Sequence, residues 1–272
     1  MAQAPLVSVI MPTYNPDPGH LHEAIASILE QTYKNIELII VNDGSTTMDP
    51  KEVIDAFGDP RIVYINRKQN QGLTKCLNIA LNHSRGEFIA RMDDDDISLP
   101  QRIEKQVKFF QDYPDANVVG SNIQFFSSKE GIFQVSLDED RERQQILLLL
   151  GNIGIPHPTA MFRKAFLEKY NIRYNEKYKK SQDYAMWVEC VKYSRIDWIP
   201  EVLLKYRVHE KQISMKNRRE QSLYDEMIKI DQLTSIGLHP DKNQKQVHLK
   251  FCRMAPDINV KETEQWVQEL LR

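Results

Sequence analysis

The residues best suited to chemistry are four consecutive aspartates, Asp93 to Asp96, which closely follow the apolar run 88–90. Four adjacent negative charges repel one another, and folding alone does not require them. Hard divalent cations prefer several oxygen ligands, which a run of carboxylates supplies. The run therefore predicts a metal site, with an acidic solvated loop as the alternative.

The elements around these aspartates alternate over the first 120 residues. Short apolar runs predict buried strands at 7–11, 37–41, 62–65 and 88–92. Amphipathic segments predict helices at about 21–31, 53–57, 73–81 and 98–111. Ser98 and Gln101 form a capping-box pattern for the last helix, with Pro100 in its first turn. This alternation predicts an α/β fold with a mainly parallel sheet flanked by helices.

A polar turn follows three of the predicted strands: residues 12–15 the first, residues 42–45 the second, and the aspartate run the fourth. The carboxyl ends of parallel strands meet at one edge of a sheet, where open α/β sheets bind ligands. Each turn alone has a plainer explanation as a solvated loop. Three such turns at the same edge favour a ligand site.

From about residue 120 the pattern changes. Strands are expected at 118–120, 123–126 and 198–208, helices at 138–150 and 184–193, and mainly helix after Ser214. We therefore expect one domain over residues 1–215, divided into halves 1–120 and 121–215, and a helical C-terminal extension over 216–272. An apolar stripe in that extension is expected to be core: Leu223, Met227, Ile230 and Leu233.

Charge and cysteine content limit the class of protein. The 36 lysines and arginines nearly balance the 38 aspartates and glutamates, which argues against a nucleic-acid binder. Three separated cysteines without metal spacing favour a reduced, intracellular protein over a secreted one. The start of the chain shows no signal-peptide pattern, and no apolar stretch is long enough to span a membrane. We therefore expect a cytoplasmic location.

Five motifs stand in the order and spacing of one known family: Val9-Ile10-Met11-Pro12-Thr13-Tyr14-Asn15, Val41-Asn42-Asp43-Gly44-Ser45, Ala90-Arg91-Met92-Asp93-Asp94-Asp95-Asp96, Gln182-Asp183 and Tyr206-Arg207-Val208-His209. Over about residues 5–215 the sequence resembles inverting family 2 glycosyltransferases of the GT-A fold. Within that family it is similar to bacterial enzymes that extend lipopolysaccharide or capsule oligosaccharides, including β-1,3-N-acetylglucosaminyltransferases. This closer similarity rests on residues 206–214.

The resemblance implies that the first half binds a nucleoside diphosphate sugar. Asp43 resembles the aspartate that accepts the N3–H of uracil, although an aspartate before glycine is also a common turn former. Tyr14 offers a ring for stacking on the base. Lys75 has an alternative as an ordinary surface lysine, and Arg91 as the partner of a buried acid. The implied donor-binding residues are Pro12, Thr13, Tyr14, Asn15, Asp43, Gly72, Lys75, Arg91, Asp93 and Asp94.

The resemblance also implies a bound Mn²⁺ or Mg²⁺, with Asp95 as its ligand. Such an ion bridges diphosphate oxygens and stabilises charge on the leaving nucleotide. The family pattern is Asp-x-Asp-Asp, so Asp94 stands where a small residue is usual, and Asp93 leans toward the ribose. Asp96 either supports the ion site or favours the start of the helix that follows.

The second half supplies the remaining implied residues. Arg207 and His209 point to the same side of an extended segment and face the diphosphate and the metal, unless the histidine is structural. Asp183 resembles the catalytic base, with Gln182 in place of the usual glutamate. A helix-start aspartate is the alternative for Asp183. Two further residues are candidates for contact with the acceptor, with core packing as the alternative for the second: His157 and Trp187.

The implied function is metal-dependent, inverting transfer of a sugar from a nucleoside diphosphate sugar to a hydroxyl of a bacterial surface oligosaccharide or lipid-linked glycan. UDP-linked GlcNAc, GalNAc, Gal or Glc is the expected donor. The alternatives are a sugar nucleotidyltransferase and a non-catalytic nucleotide-sugar-binding protein. The glycine-rich turn of nucleotidyltransferases and the Gly-x-Gly-x-x-Gly of dehydrogenases are both missing after the first strand.

The segment 211–219 is rich in lysine and arginine and contains no acid. It predicts either a peripheral contact with anionic lipid at the inner face of the cell membrane or a lid over the diphosphate.

Overall fold

The computed structural model describes residues 4–128, 130–209 and 218–270. Within these ranges the strands form one sheet: β1 (Val7–Thr13), β2 (Ile36–Asn42), β3 (Ile62–Asn66), β4 (Phe88–Arg91), β5 (Ile97–Ser98), β6 (Val118–Ser127), β7 (Gly131–Phe133), β8 (Met161–Arg163) and β9 (Asp197–Val208). The helices are α1 (Pro18–Leu29), α2 (Lys51–Asp55), α3 (Leu73–His83), α4 (Arg102–Asp112), α5 (Arg141–Leu150), α6 (Lys164–Lys169), α7 (Gln182–Val191), α8 (Arg218–Ser235), α9 (Lys242–Cys252) and α10 (Val260–Leu270).

The strand order in the sheet is β3-β2-β1-β4-β8-β6-β9-β5, with β7 paired to β6. The first four strands are parallel, as the alternating pattern predicts. Beyond β4 the sheet is mixed, because β8 runs antiparallel to both of its neighbours while β9 runs parallel to β6. The edge strand β5 therefore joins the sheet only through β9, which lies between β6 and β5.

Apolar side chains cover both faces of the central strands. Val9 and Met11 of β1 pack in one buried cluster with α1 and α4, whereas Ile10 packs in a second cluster with α3 and α7. Every residue of β1 and β2 is buried. This burial on both faces explains why the two strands are nearly continuous apolar runs.

The predicted capping box at Ser98 and Gln101 is wrong. Ser98 belongs to β5, α4 begins at Arg102, and the side chain of Gln101 makes no capping hydrogen bond. The buried side chain of Gln31 replaces it, since its Oε1 accepts the backbone N–H of Ile103 at 3.0 Å. The same side chain donates to the backbone carbonyl of Leu99 at 2.8 Å. A residue at the end of α1 therefore caps α4.

The C-terminal helices pack through a small core of Leu233, Val247 and Trp266. The prediction that the whole Leu223 stripe is core is wrong, because Leu223 is 57% exposed and Met227 is 40% exposed. The domain boundaries at 120 and 215 stay predictions. Among the described residues no helix is both long and apolar enough to cross a membrane.

Candidate active site

The three polar turns open into one cavity of about 1770 Å³ at the carboxyl ends of β1, β2 and β4. The loop after α5 and the segment leading into α7 form its other walls. Most of the residues singled out in the sequence line it: Pro12, Thr13, Tyr14, Asn15, Asp43, Gly72, Arg91, Asp93, Asp94, Asp95, His157, Gln182, Asp183 and His209. Lys75, Trp187 and Arg207 are not among the lining residues.

The aspartate run divides its carboxylates between two directions. Oxygen atoms of Asp93, Asp95 and Asp96 lie within 4.8 Å of one another. Asp94 is directed elsewhere and accepts a hydrogen bond from Thr13 Oγ1 at 2.5 Å. Three converging carboxylates are a donor set that suits a hard divalent cation. The residues therefore fit the implied Mn²⁺ or Mg²⁺.

Crowding of these carboxylates disfavours their charged forms. Burial, and then the charge of Asp95, raise the pKa of Asp94 to about 7. Burial and the charge of Asp93 also raise the pKa of Asp95, and burial raises the pKa of Asp96 well above its usual range. One oxygen of Asp96, Oδ2, is buried without a hydrogen-bond partner among the described residues. A nearby cation would offset this repulsion.

Arg91 sits behind the run and is almost completely buried. Its guanidinium pairs with Asp93, as the alternative of a buried ion pair predicts. Its Nε and Nη1 have no hydrogen-bond partner among the described residues. Arg91 also lines the cavity, but these two nitrogens are themselves buried.

The end of β9 approaches the aspartate run from the other side. Asp96 Oδ1 accepts the backbone N–H of Arg207 at 2.9 Å, and Arg207 Nε donates to the carbonyl of Asp95 at 2.7 Å. His209 Nε2 lies 2.9 Å from Asp95 Oδ2. Arg207 thus contacts the run through these hydrogen bonds and is not among the lining residues of the cavity, and its expected role at the diphosphate stays a prediction.

Two residues of α1 that the sequence analysis missed complete this region. Glu23 pairs with the guanidinium of Arg207, and the ring of His20 lies 5.6 Å from the ring of His209. His20 also lines the cavity. Their spacing of three residues places them on one face of α1, but it does not predict their partners at the end of β9.

One part of the cavity is built around Asp43, which is buried. Its Oδ1 accepts the N–H of Gln71 at 2.9 Å, and its Oδ2 accepts the N–H of Gly72 at 2.7 Å. Arg67 Nη1 also lies 3.7 Å from Oδ1. A carboxylate oxygen can accept a second hydrogen bond, so Oδ2 can still bind an N–H of a ligand. Gly72 has φ +93°, a conformation that favours glycine.

Asn15 and Tyr14 follow β1 in the same part of the cavity. Asn15 Oδ1 accepts the N–H of Thr46 at 2.7 Å and that of Thr47 at 3.1 Å, which joins the first two polar turns. Tyr14 is 47% exposed, so its ring is available for stacking. Lys75 is half-buried on α3 and is not among the lining residues of the cavity, and its role in donor binding stays a prediction.

Asp183 is the second residue of α7 and lines the cavity. Asn152 Nδ2 donates to Asp183 Oδ2 at 3.3 Å. Burial raises the pKa of Asp183, while hydrogen bonds from the backbone N–H of Tyr184 and from Asn152 oppose this shift. Gln182 precedes Asp183, is half-buried and also lines the cavity. A carboxylate with a raised pKa beside a ligand cavity is suited to accept a proton.

His157 and Trp187 differ from each other in their access to the cavity. His157 lines it, but its Nε2 lies 2.8 Å from the hydroxyl of Tyr174, and burial lowers its pKa well below the usual range. Trp187 is fully buried, so it offers no ring face to an acceptor, and the core-packing alternative fits it. A Cβ at Gly154 would lie 2.2 Å from Trp187 Cδ1, so only glycine fits there.

The sequence is similar to known glycosyltransferases. Residues 8–170 match the description "Glycosyl transferase family 2". An uncharacterised glycosyltransferase of Methanocaldococcus jannaschii is 35% identical over 224 residues, which cover 81% of this chain and 77% of the relative. An uncharacterised glycosyltransferase of Haemophilus influenzae is 34% identical over 244 residues, which cover 86% of this chain and 75% of the relative.

Solved structures share the fold at lower sequence identity. Staphylococcus aureus TarS in complex with UDP-GlcNAc aligns with a TM-score of 0.71 and 19% identity over 96% of this chain and 78% of that one. The mannosyltransferase PcManGT of Pyrobaculum calidifontis, in complex with GDP-Man and Mn²⁺, aligns with a TM-score of 0.62 and 16% identity. The alignment covers 99% of this chain and 80% of PcManGT. The predicted GT-A fold is thereby confirmed, and the chain belongs to glycosyl transferase family 2 and is a glycosyltransferase.

Proposed function

We propose that the protein transfers a sugar, with inversion at the anomeric carbon, from a UDP-linked donor to a hydroxyl of a glycan acceptor. The observation that carries the proposal is that Asp183, Asp43 and the carboxylates of residues 93–95 line one cavity. Family membership favours this activity over the sugar nucleotidyltransferase that was an alternative.

Different residues of the cavity bind different parts of the donor. Asp43 holds the base, and UDP is favoured because an ionised carboxylate there suits the N3–H of uracil. Asp93, Asp95 and Asp96 would hold Mn²⁺ or Mg²⁺, which stabilises negative charge on the departing diphosphate when it is bound. The relative TarS was solved with UDP-GlcNAc and PcManGT with GDP-Man and Mn²⁺, which supports a nucleotide-sugar donor.

Asp183 acts at the acceptor. Its carboxylate takes the proton of the attacking hydroxyl while the acceptor oxygen forms its bond to the anomeric carbon. On the opposite face of that carbon, the bond to the diphosphate oxygen breaks and the nucleoside diphosphate leaves. Asn152 holds the carboxylate in place through its hydrogen bond to Oδ2.

The test is a panel of nucleotide sugars, incubated with Mn²⁺ or Mg²⁺ and with oligosaccharide acceptors. We expect release of nucleoside diphosphate that depends on acceptor and is lost in excess chelator. NMR of the product should show the anomeric configuration opposite to that of the donor. Donor binding without turnover would instead support the alternative of a non-catalytic nucleotide-sugar-binding protein.

We further propose that the acceptor is a lipopolysaccharide, O-antigen or capsule oligosaccharide. The transferred sugar is GlcNAc, GalNAc, Gal or Glc. The motif at residues 206–214 supports this proposal through its similarity to β-1,3-N-acetylglucosaminyltransferases.

Most of the basic segment 211–219 lies outside the described residues. Its proposed contact with anionic lipid, and with it a peripheral location at the cytoplasmic face of the membrane, predicts salt-sensitive flotation with anionic vesicles.

A further inference from the structure

One face of α1 borders the diphosphate end of the cavity, although no family motif includes it. His20 lies in the first turn of this helix and Glu23 lies three residues later, so both side chains project from the same face. His20 is half-buried and lines the cavity, whereas Glu23 is largely exposed. Each contacts a different residue at the end of β9.

The contact of Glu23 completes a three-sided restraint on Arg207. The guanidinium pairs with Glu23 of α1, donates to the carbonyl of Asp95 at 2.7 Å, and lies 4.4 Å from the ring centroid of Phe126 in β6. A guanidinium is planar and rigid, so contacts on its edge and on its face fix its orientation. Without Glu23, the guanidinium of Arg207 would be less constrained, and with it the hydrogen bond that it donates to the carbonyl of Asp95.

The contact of His20 acts on the neighbouring histidine. Its ring lies 5.6 Å from that of His209 at an interplanar angle of 47°, and His209 Nε2 lies 2.9 Å from Asp95 Oδ2. A ring packed against His209 restricts its rotation. Both chains of contact that begin on α1 therefore end on Asp95, which belongs to the carboxylate group suited to a cation.

We propose that His20 and Glu23 are positioning residues for the diphosphate-binding end of the site. They act through His209 and Arg207 to hold Asp95 in the arrangement that binds the ion and the donor diphosphate. This inference rests on the proposed function, because it assumes a nucleoside diphosphate as the ligand. It assigns a role to α1 beyond its packing against the sheet.

The experiment measures dissociation constants by calorimetry in the presence of Mn²⁺. The ligands are the nucleoside diphosphate that the wild type binds most tightly among UDP, GDP, ADP and dTDP, and the corresponding nucleoside. Glu23→Gln and His20→Ala should each weaken diphosphate binding about 10-fold, because partners of metal-binding residues typically contribute that much. Binding of the nucleoside, which reaches only the Asp43 end, should not change.

The chain offers matched controls on the same helix. His22 is exposed and stacks on Phe57, and Glu30 is exposed at the C-terminal end of α1, so His22→Ala and Glu30→Gln should leave both constants unchanged. His20→Phe retains the ring and should restore diphosphate binding. Thermal unfolding of each variant verifies that it is folded.

Several outcomes would overturn the inference. One is a dissociation constant for the nucleoside diphosphate that does not change in Glu23→Gln. The others are an equal loss of affinity for the nucleoside, or an equal loss of affinity for the nucleoside diphosphate in the His22→Ala control. A His20→Phe variant as weak as His20→Ala would show that His20 binds the diphosphate directly and is not a positioning residue. A wild type that binds no nucleoside diphosphate would refute the proposed function itself, and the inference with it.

Discussion

Asn152 Nδ2 lies 3.3 Å from Asp183 Oδ2, so the loop after α5 holds the carboxylate that begins α7. The contact joins residues that are 31 positions apart in the chain. It also favours the ionised form of Asp183, because a donated N–H stabilises a charged carboxylate. Asn152 thereby opposes the effect of burial on the same group.

Replacing Asp183 with Asn should reduce turnover while sparing donor binding. The substitution keeps the shape of the side chain but removes its basicity, and a positioned general base typically contributes about 10²–10⁴-fold to the rate. Kinetics with saturating donor, together with calorimetry for the donor, separate the two effects. A large loss of donor affinity would place Asp183 in the nucleotide site instead.

Replacing Asn152 with Ala should move the acid limb of the pH–rate profile to higher pH. Asp183 accepts a proton only when ionised, so activity is lost as pH falls through its pKa, which burial already raises above the usual value. Removing the stabilising N–H raises that pKa further, because the ionised carboxylate loses a hydrogen bond. The profile of kcat/KM should show this shift with an unmoved alkaline limb, and an acid limb at the wild-type position would contradict the assignment.

Asp95 and Asp94 should differ in their effect on metal dependence. Asp95 belongs to the converging carboxylates, so Asp95→Asn should abolish divalent-cation binding and turnover. Asp94→Ala should be much milder, because its side chain is hydrogen-bonded to Thr13 and is not part of that group. Metal titrations of both variants make the comparison, and full wild-type activity in excess chelator would refute a metal requirement.

Gln31 should matter to stability and Gln101 should not. Gln31→Leu leaves the N–H at the start of α4 without its acceptor in a buried site, which we expect to lower the free energy of unfolding by about 1–3 kcal/mol. Gln101→Ala removes an exposed side chain that makes no capping bond and serves as the control. Denaturant unfolding measures both, and equal effects would favour the discarded capping box.

Residues next to one another in the chain were the most predictable part of the site. Asp43, Asp95 and Asp183 could be singled out because each stands in a short motif at the end of a strand or the start of a helix. The strands β1 to β4 were predictable for a similar reason, since their apolar runs and intervening helices determine a parallel order. The structure brings those three residues to one cavity.

Contacts between distant segments were not predictable. Gln31 caps a helix that begins 71 residues later, and Glu23 pairs with a guanidinium 184 positions away. Polar contacts of this kind leave no periodic pattern in the sequence, so the spacing of hydrophobic residues does not predict them. Trp187 was ambiguous because an aromatic residue in the first turns of a helix suits both a core and a binding surface, and only its burial by Gly154 and Phe162 decides between them.

The position of β9 in the sheet has a consequence for synthesis of the protein. The ribosome makes β5 and β6 long before β9, yet β9 is the strand that pairs with both. Until residue 208 has emerged, one edge of β6 is unpaired, and open edges recruit other strands. The same strand brings Arg207 to the aspartate run. A nascent chain therefore carries β1 to β4 early, but it pairs β5 and β6 with β9 only in a late step.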